Sequence, residues 1–253
     1  MTIAVLYKYT GDSRELAVRE DGAPDWSAAR KMIGEDDAVA LQYAAMVGDR
    51  AGTHVVAITV GGDDAGRPAS VRGALVKGPG SARVIADDAV LTWNRTRTAD
   101  LIAQVIERMG EVTLVVTGPG SIDESARLMP AIVAGFLGWP CFENVTSIEA
   151  MAGGWRLTQA SGTGRNTIEV RGPVVCAVTS AVTTVSAPGV DVLRAAAAKP
   201  VVVERADAYE VAPIAPREIG WERRPQVERR HRIVTGPAAE VELSRALAEE
   251  GIR

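Results

Sequence analysis

Up to Pro140, apolar positions fall in short runs separated by longer amphipathic stretches. Ile3–Tyr7, His54–Val60, Arg83–Ala86 and Val112–Thr117 are of strand length and rich in Val and Ile. Their runs are continuous rather than alternating, which marks strands covered on both faces. Between them lie segments with a helical period. The cleanest is Thr98–Met109, where Leu101, Ile102, Val105, Ile106 and Met109 share one face. Ala38–Val47 is an Ala-rich helix introduced by Glu35-Asp36-Asp37. Acidic residues suit a helix start both as caps and against the dipole, and Gly48 is the expected stop. Pro68–Lys77 is a further helix, closed by Gly78-Pro79-Gly80. Thr10–Ile33 is polar and broken by Gly11, Gly22 and Pro24, which predicts loop or a small hairpin. Alternating strands and helices predict a parallel sheet with helices on both faces. Ligands of such sheets bind at the C-terminal strand ends, so the loops after Tyr7, Val60 and Thr117 are the candidates.

Beyond Pro140 the rhythm changes. Trp155–Ala160 and Thr167–Arg171 read as a hairpin joined through Ser161-Gly162-Thr163-Gly164-Arg165-Asn166. Val174–Thr179 is another buried strand, and Ser180–Pro200 shows little core-forming pattern. From Val201 the chain reads as an extended arm with Pro213, Pro216 and Pro225, ending in a short helix over Pro237–Glu249. The expected organisation is an α/β domain over residues 1–200 and, over 201–253, an arm and helix that serve a partner subunit.

Composition narrows the function classes. Of 253 residues 47% are apolar but only 4% aromatic, so the core is expected to be Val, Ala, Leu and Ile. That argues against a stacking platform for nucleic acid, and the net charge of -4 gives no basic footprint. Arg223, Arg224, Arg229, Arg230 and Arg232 alternate with Glu222 and Glu228 and read as a solvated arm or subunit contact. Cys141 and Cys176 lie in apolar surroundings without partners at metal spacing, which points to small buried side chains and a reducing, cytoplasmic setting. The start, MTIAVLYKY, reads as a first strand rather than a signal peptide, and no apolar run is long enough to span a membrane.

The chemistry concentrates in Gly118–Arg127. Gly118 and Gly120 remove Cβ atoms at a strand-to-helix turn, a place where backbone N–H groups face an anion. Ser121 and Ser125 can donate to phosphate oxygens, and Arg127 brings a guanidinium fork. Asp123 can cap the following helix, or accept from a ribose hydroxyl or an adenine amine. The competing reading is a well-capped helix with no ligand. Val60-Gly61-Gly62-Asp63-Asp64 has a similar shape but is explained by a turn. Walker, dinucleotide and nucleophile-elbow signatures are missing, and the two histidines, His54 and His231, do not make a triad or a metal site.

Several phrases resemble the β subunits of electron transfer flavoproteins. Lys8 follows the first strand. Val71-Arg72 and Ala74-Leu75 precede Gly78. Ile122-Asp123 leads to Gly135-Phe136-Leu137-Gly138-Trp139-Pro140, and Pro188-Gly189-Val190 precedes an Ala/Lys segment ending Lys199-Pro200. The resemblance runs through most of the chain. It implies a Rossmann-like fold of the adenine nucleotide alpha hydrolase-like kind with a C-terminal extended arm. It implies an electron carrier rather than a catalyst, paired with an α subunit that holds most of the redox FAD. It further implies AMP, or a second FAD in electron-bifurcating members, in a cleft of the chain's own. Leu6, Lys8, Gly34, Val60, Gly118, Gly120, Ser121, Ile122, Asp123, Ser125 and Arg127 are the cofactor-binding candidates on this basis. Ala187, Pro188, Val190, Val192 and Leu193 would dock a flavin-linked or other dehydrogenase.

The chain departs from the family pattern in places. Pro119-Gly120 stands where a Lys-Gln-like pair is usual, Leu128-Met129-Pro130 replaces hydrogen-bonding residues, and Gly34-Glu35-Asp36 brings negative charge toward the expected cleft. Ala187 stands where a leucine is expected. Two alternatives remain: a free-standing adenine-nucleotide-binding module, as a sensor or adenylate-dependent enzyme, and a structural subunit whose cleft has decayed.

Overall fold

Continuous Val/Ile strands have no polar face to give to solvent, so they must lie between two layers of helices. That is the arrangement found in the computed structural model, which describes residues 1–185, 187–213, 220–222, 225 and 233–251. In chain order its elements are β1 (Thr2–Leu6), β2 (Tyr9–Gly11), β3 (Ala17–Val18), β4 (Pro24–Asp25), β5 (Lys31–Ile33), α1 (Glu35–Ala51), β6 (His54–Gly61), α2 (Pro68–Leu75), β7 (Ser81–Ala86), α3 (Arg95–Met109) and β8 (Val112–Thr117). The second half of the chain adds α4 (Met129–Leu137), β9 (Cys141–Met151), β10 (Gly154–Ser161), β11 (Gly164–Arg171), β12 (Val174–Val178), α5 (Val190–Ala197), β13 (Val201–Glu204) and α6 (Ala239–Glu249).

One nine-stranded sheet runs β11-β10-β9-β12-β8-β1-β6-β7-β13. It is parallel from β13 through β9 and antiparallel from β9 to β11. From β1 the chain winds outward through β6 to β7, then α3 carries it back to β8 on the other side of β1. The crevice at the C-terminal ends of β1 and β8 is therefore the topological switch point. Alternate side chains of β1 enter opposite cores. Ile3 and Val5 pack with Leu41, Ala44, Val71 and Leu75 on the α1/α2 face. Ala4 and Leu6 pack with Leu101, Val105, Ile106 and Val133 on the α3/α4 face. Residues 10–33 form two small antiparallel ladders, β2–β5 and β3–β4, in line with the expected hairpin.

Three local readings are corrected, and one strand is absent from the sequence reading. Gly48 does not stop α1; the helix continues to Ala51 and ends at left-handed Gly52 (φ 61°). A Cβ on Gly48 would come within 2.3 Å of Val55 Cγ2, so this glycine serves helix-on-strand contact. Second, the long strand β9 escapes a periodicity reading because its buried Val145 and Ile148 are three apart, not two or four. Asn144 takes a left-handed φ of 55° and the pairing of β9 shifts register, which breaks the alternation. Third, the 180–200 segment contains α5, whose only buried residue is Ala196, so no periodic stripe betrays it.

Fourth, Val201–Glu204 is not the start of an arm but the parallel edge strand on β7. The segment after β13 packs against α3 instead of extending away. Arg108 lies over the Tyr209 ring (3.9 Å) and donates to the Ala208 carbonyl (2.7 Å), while Gln104 donates to that of Glu210 (2.9 Å). Contacts group the chain into one large unit, Met1–Val18 with Pro24–Ile219, and a smaller one, Arg19–Ala23 with Gly220–Arg253, whose described part includes α6. The arginine run at 223–232, with His231 and Pro216, lies outside the described residues.

Lys199 illustrates how α5 is joined to the core. Its Nζ donates to the carbonyls of Leu75 (2.9 Å), the last residue of α2, and Gly78 (3.2 Å), in the turn that follows it, and so adds a charged donor where the helix ends. Lys199→Ala is expected to cost about 1 kcal/mol. An unchanged thermal midpoint would show that solvent serves those carbonyls equally well.

Candidate functional site

The site grows from the ends of β1 and β8. Past Leu6 the chain leaves the sheet, and the Lys8 backbone N–H donates to Asp37 Oδ2 (2.8 Å) in the first turn of α1. The Lys8 ammonium reaches across the crevice to Asp123 Oδ2 (2.5 Å), which also accepts from the Thr10 hydroxyl (2.8 Å). Asp123 belongs to the loop after β8, so this ion pair bridges the switch point. Burial pushes the Asp123 carboxyl up, but the Lys8 charge and hydrogen bonds from Lys8, Ser121 and Thr10 outweigh it and hold the group below the ordinary carboxylate range. At Asp37 the compensation from Lys8 is the weaker side. Burial first, then the Asp36 and Asp123 charges, push it up to about 7 against the Lys8 N–H and ammonium.

Behind these groups lies a cleft of about 390 Å³. One wall is apolar, with Ile58, Val60, Val90, Trp93, Ile102 and Met129. The charged side carries Lys8, Lys31, Arg95, Arg127, Asp37, Asp123 and Glu124. Most of the cations are already committed. Lys31 pairs with Asp64 (2.6 Å), Arg95 with Glu124 (2.7 Å) and Lys8 with Asp123. Among the described residues, Arg127 is the cleft cation with no carboxylate in ion-pair distance. Two buried polar atoms of the lining have no hydrogen-bond partner there, Asp123 Oδ1 and the Tyr7 hydroxyl.

Of the residues singled out from sequence, Leu6, Lys8, Val60, Gly118, Gly120, Ser121, Asp123 and Arg127 line this cleft. Gly34, Ile122 and Ser125 do not. A Cβ on Gly34 would sit 2.9 Å from Ile122 Cγ2, so those two pack on each other beside the loop. Ser125, at φ 49°, turns its hydroxyl back to the Ser121 carbonyl. The reason for Gly118 also differs from expectation. A Cβ there would lie 2.9 Å from Asp37 Oδ1 and 3.0 Å from the Asp36 backbone, so the glycine lets the loop rest on the first turn of α1. α4 begins only at Met129, six residues after Asp123, and its N-terminus carries no side-chain cap. Asp123 therefore does not cap it. Thr10, Trp26, Trp93 and Arg95 also line the cleft, and sequence reasoning does not select them. Asp37 lines it too, within the stretch Gly34–Asp37 that the family resemblance brings to the cleft.

The docking candidates lie elsewhere in the same unit. Val190, Val192 and Leu193 are exposed on α5, Ala187 is exposed and Pro188 half-buried.

The cleft fits a bound nucleotide only in part. Its volume suits a nucleoside-sized group and is at the small end for ligand cavities. For a phosphate the fit is poor. Pro130 lacks the N–H a helix start would lend, α1 begins with Glu35, Asp36 and Asp37, and the lysine at the crevice already holds a carboxylate.

A mostly parallel, doubly wound sheet with its cleft at the switch point defines a Rossmann-like α/β protein. Residues 27–210 match the family described as electron transfer flavoprotein domain, and the chain belongs to that family. Among the described residues no helix is long and apolar enough to cross a membrane.

Proposed function

We propose that this chain is the β subunit of a heterodimeric electron transfer flavoprotein. It would pass electrons from a dehydrogenase to a downstream acceptor through FAD held mainly by the α subunit. The observation that carries this reading is the misfit between the family and the cleft. A flavoprotein family member whose own cavity is at the small end for ligand cavities, with three of its four lining cations paired to carboxylates, is poorly furnished for a phosphate-bearing flavin, which favours a partner that holds it. Flavin bound at such an interface supplies the one- and two-electron chemistry, and the protein supplies position and shielding. On this reading the chain's residues do no bond-making. They present a surface, exclude water from one side of the flavin and dock the electron donor.

Exposed Val190, Val192 and Leu193 suit that docking role, with Ala187 and Pro188 setting the approach of α5. The alternative, a free-standing adenine-nucleotide module, is favoured by the nucleoside-sized volume of the cleft. It gives no role to the apolar face of α5.

The test is to co-produce the chain with an α-type electron transfer flavoprotein subunit, purify the complex and identify the compounds released on denaturation. A yellow heterodimer releasing one FAD supports the carrier role. No heterodimer and no flavin would overturn it in favour of the free-standing module.

A further inference from the structure

The two edges of the nine-stranded sheet are built differently. β11, at one end, carries Arg165, Glu169 and Arg171 exposed along its length, charged side chains of the kind that keep an edge from pairing with another chain. β13, at the other end, carries Val201, Val202 and Val203, exposed at 41%, 43% and 50%. Its backbone is also set for a partner. The Ala82 N–H donates to the Pro200 carbonyl (3.0 Å), and the parallel register runs on from Val201 opposite Ala82 to Glu204 opposite Ile85. Val202 and Glu204 therefore turn their peptide groups to β7, and Val201 and Val203 turn theirs outward, away from the sheet. Among the described residues no strand pairs with that side.

This edge is complementary to itself. With a second copy laid antiparallel along β13 and a twofold axis at Val202, Val201 meets Val203 of the second copy. Each such pair exchanges both its N–H···O bonds, while the two Val202 side chains touch across the axis. Charge permits the approach. Glu204, the carboxylate of the strand, would lie opposite Pro200 of the second copy, and it already accepts from Arg83 (3.3 Å) and the Tyr209 hydroxyl (3.0 Å). An axis normal to the sheet brings both α5 helices to the same side, running antiparallel. Asp191 and Arg194 are exposed on α5 with no ion-pair partner among the described residues, and in that order Asp191 of each copy can pair with Arg194 of the other. We propose that β13 is an assembly edge that takes a second copy of this chain and joins the two sheets into one. The proposal goes beyond the electron-carrier reading and does not rest on it.

A strand of 4 residues makes a small seam, so the association belongs with weak, concentration-dependent contacts. Sedimentation equilibrium of the purified chain, or of its heterodimer, from ~5 to ~500 μM is expected to show a reversible doubling of mass. Val202→Lys sets like charges at the axis without touching the backbone bonds to β7. It should weaken the doubling about tenfold or more while the thermal midpoint holds. Val202→Cys is the second variant. Opposite residues of a non-hydrogen-bonded antiparallel pair lie about 4.5 Å apart at Cα, within disulfide reach. Mild oxidation should therefore join two variant chains, while the native chain, with Cys176 buried and Cys141 half-buried, stays unjoined. A single species at every concentration would overturn the proposal, as would a doubling that Val202→Lys leaves unchanged. A chain that doubles through β13 yet never takes an α subunit or flavin would sink the carrier role and leave this inference standing. A yellow heterodimer that never doubles would do the reverse.

Discussion

A chain carrying Asp37→Asn is expected to be more stable than the native protein near pH ~8 and to lose that advantage as the pH falls toward ~4. Asp37 is a carboxyl whose folded pKa is raised to about 7, by burial first and by Asp36 and Asp123 after it. Its stability contribution is thus fully present below the unfolded pKa and is lost as the pH rises through the folded one. Between about pH 4 and 7 the folded chain keeps a proton that the unfolded chain releases, so stability falls along that interval. The asparagine cannot ionise, and its carbonyl can still accept from the Lys8 N–H that now bonds Asp37 Oδ2. The expected gain near pH ~8 is on the order of a few kcal/mol, the scale of a shift this large. Denaturant unfolding of both chains across this pH range checks it, with the difference curve isolating Asp37 from the other carboxylates. Parallel curves would mean that Asp37 titrates as an ordinary surface acid.

The second large effect is expected at Trp155→Ala. Trp155 sits on β10 fully buried, and its indole N–H donates to the Thr113 carbonyl of β8 (3.0 Å), reaching over the strands between. Truncation leaves a cavity the size of an indole and strips a carbonyl of its donor. A loss of about 3–5 kcal/mol is expected, read as a lower denaturant midpoint. A change under about 1 kcal/mol would show that the antiparallel end of the sheet repacks freely. Because Gly118 directly follows β8, the variant should also loosen the loop that holds Asp123.

Both predictions rest on groups that the chain's linear pattern marks poorly. Asp37 is legible in the sequence as one of three acids heading a helix, a role shared by Glu35 and Asp36 on its flanks. What separates it is the Lys8 N–H and the burial that arrives when α1 packs beside β1. Lys8 and Asp123 both read from sequence as ligand contacts, yet they satisfy each other across the crevice. No spacing rule could pair residues so far apart in the chain. Likewise the glycines after β8 read as room for a ligand, and Gly118 turns out to make room for the first turn of α1.

The sequence by itself determined the layered α/β class, the strands β1, β6, β7 and β8 and the amphipathic α3, because each is a local periodicity that burial on a fixed face imposes. It also marked the loop after β8 as the place where chemistry would gather, and its phrases tied the chain to its family. Only the tertiary structure decided which of those loop residues face the cleft and how its cations are spent. It alone revealed β9 and the edge pairing of β13, whose stability comes from backbone partners and not from a side-chain pattern. Those outcomes depend on distances between groups remote in sequence, and charge pairing, burial and strand pairing are set by that geometry.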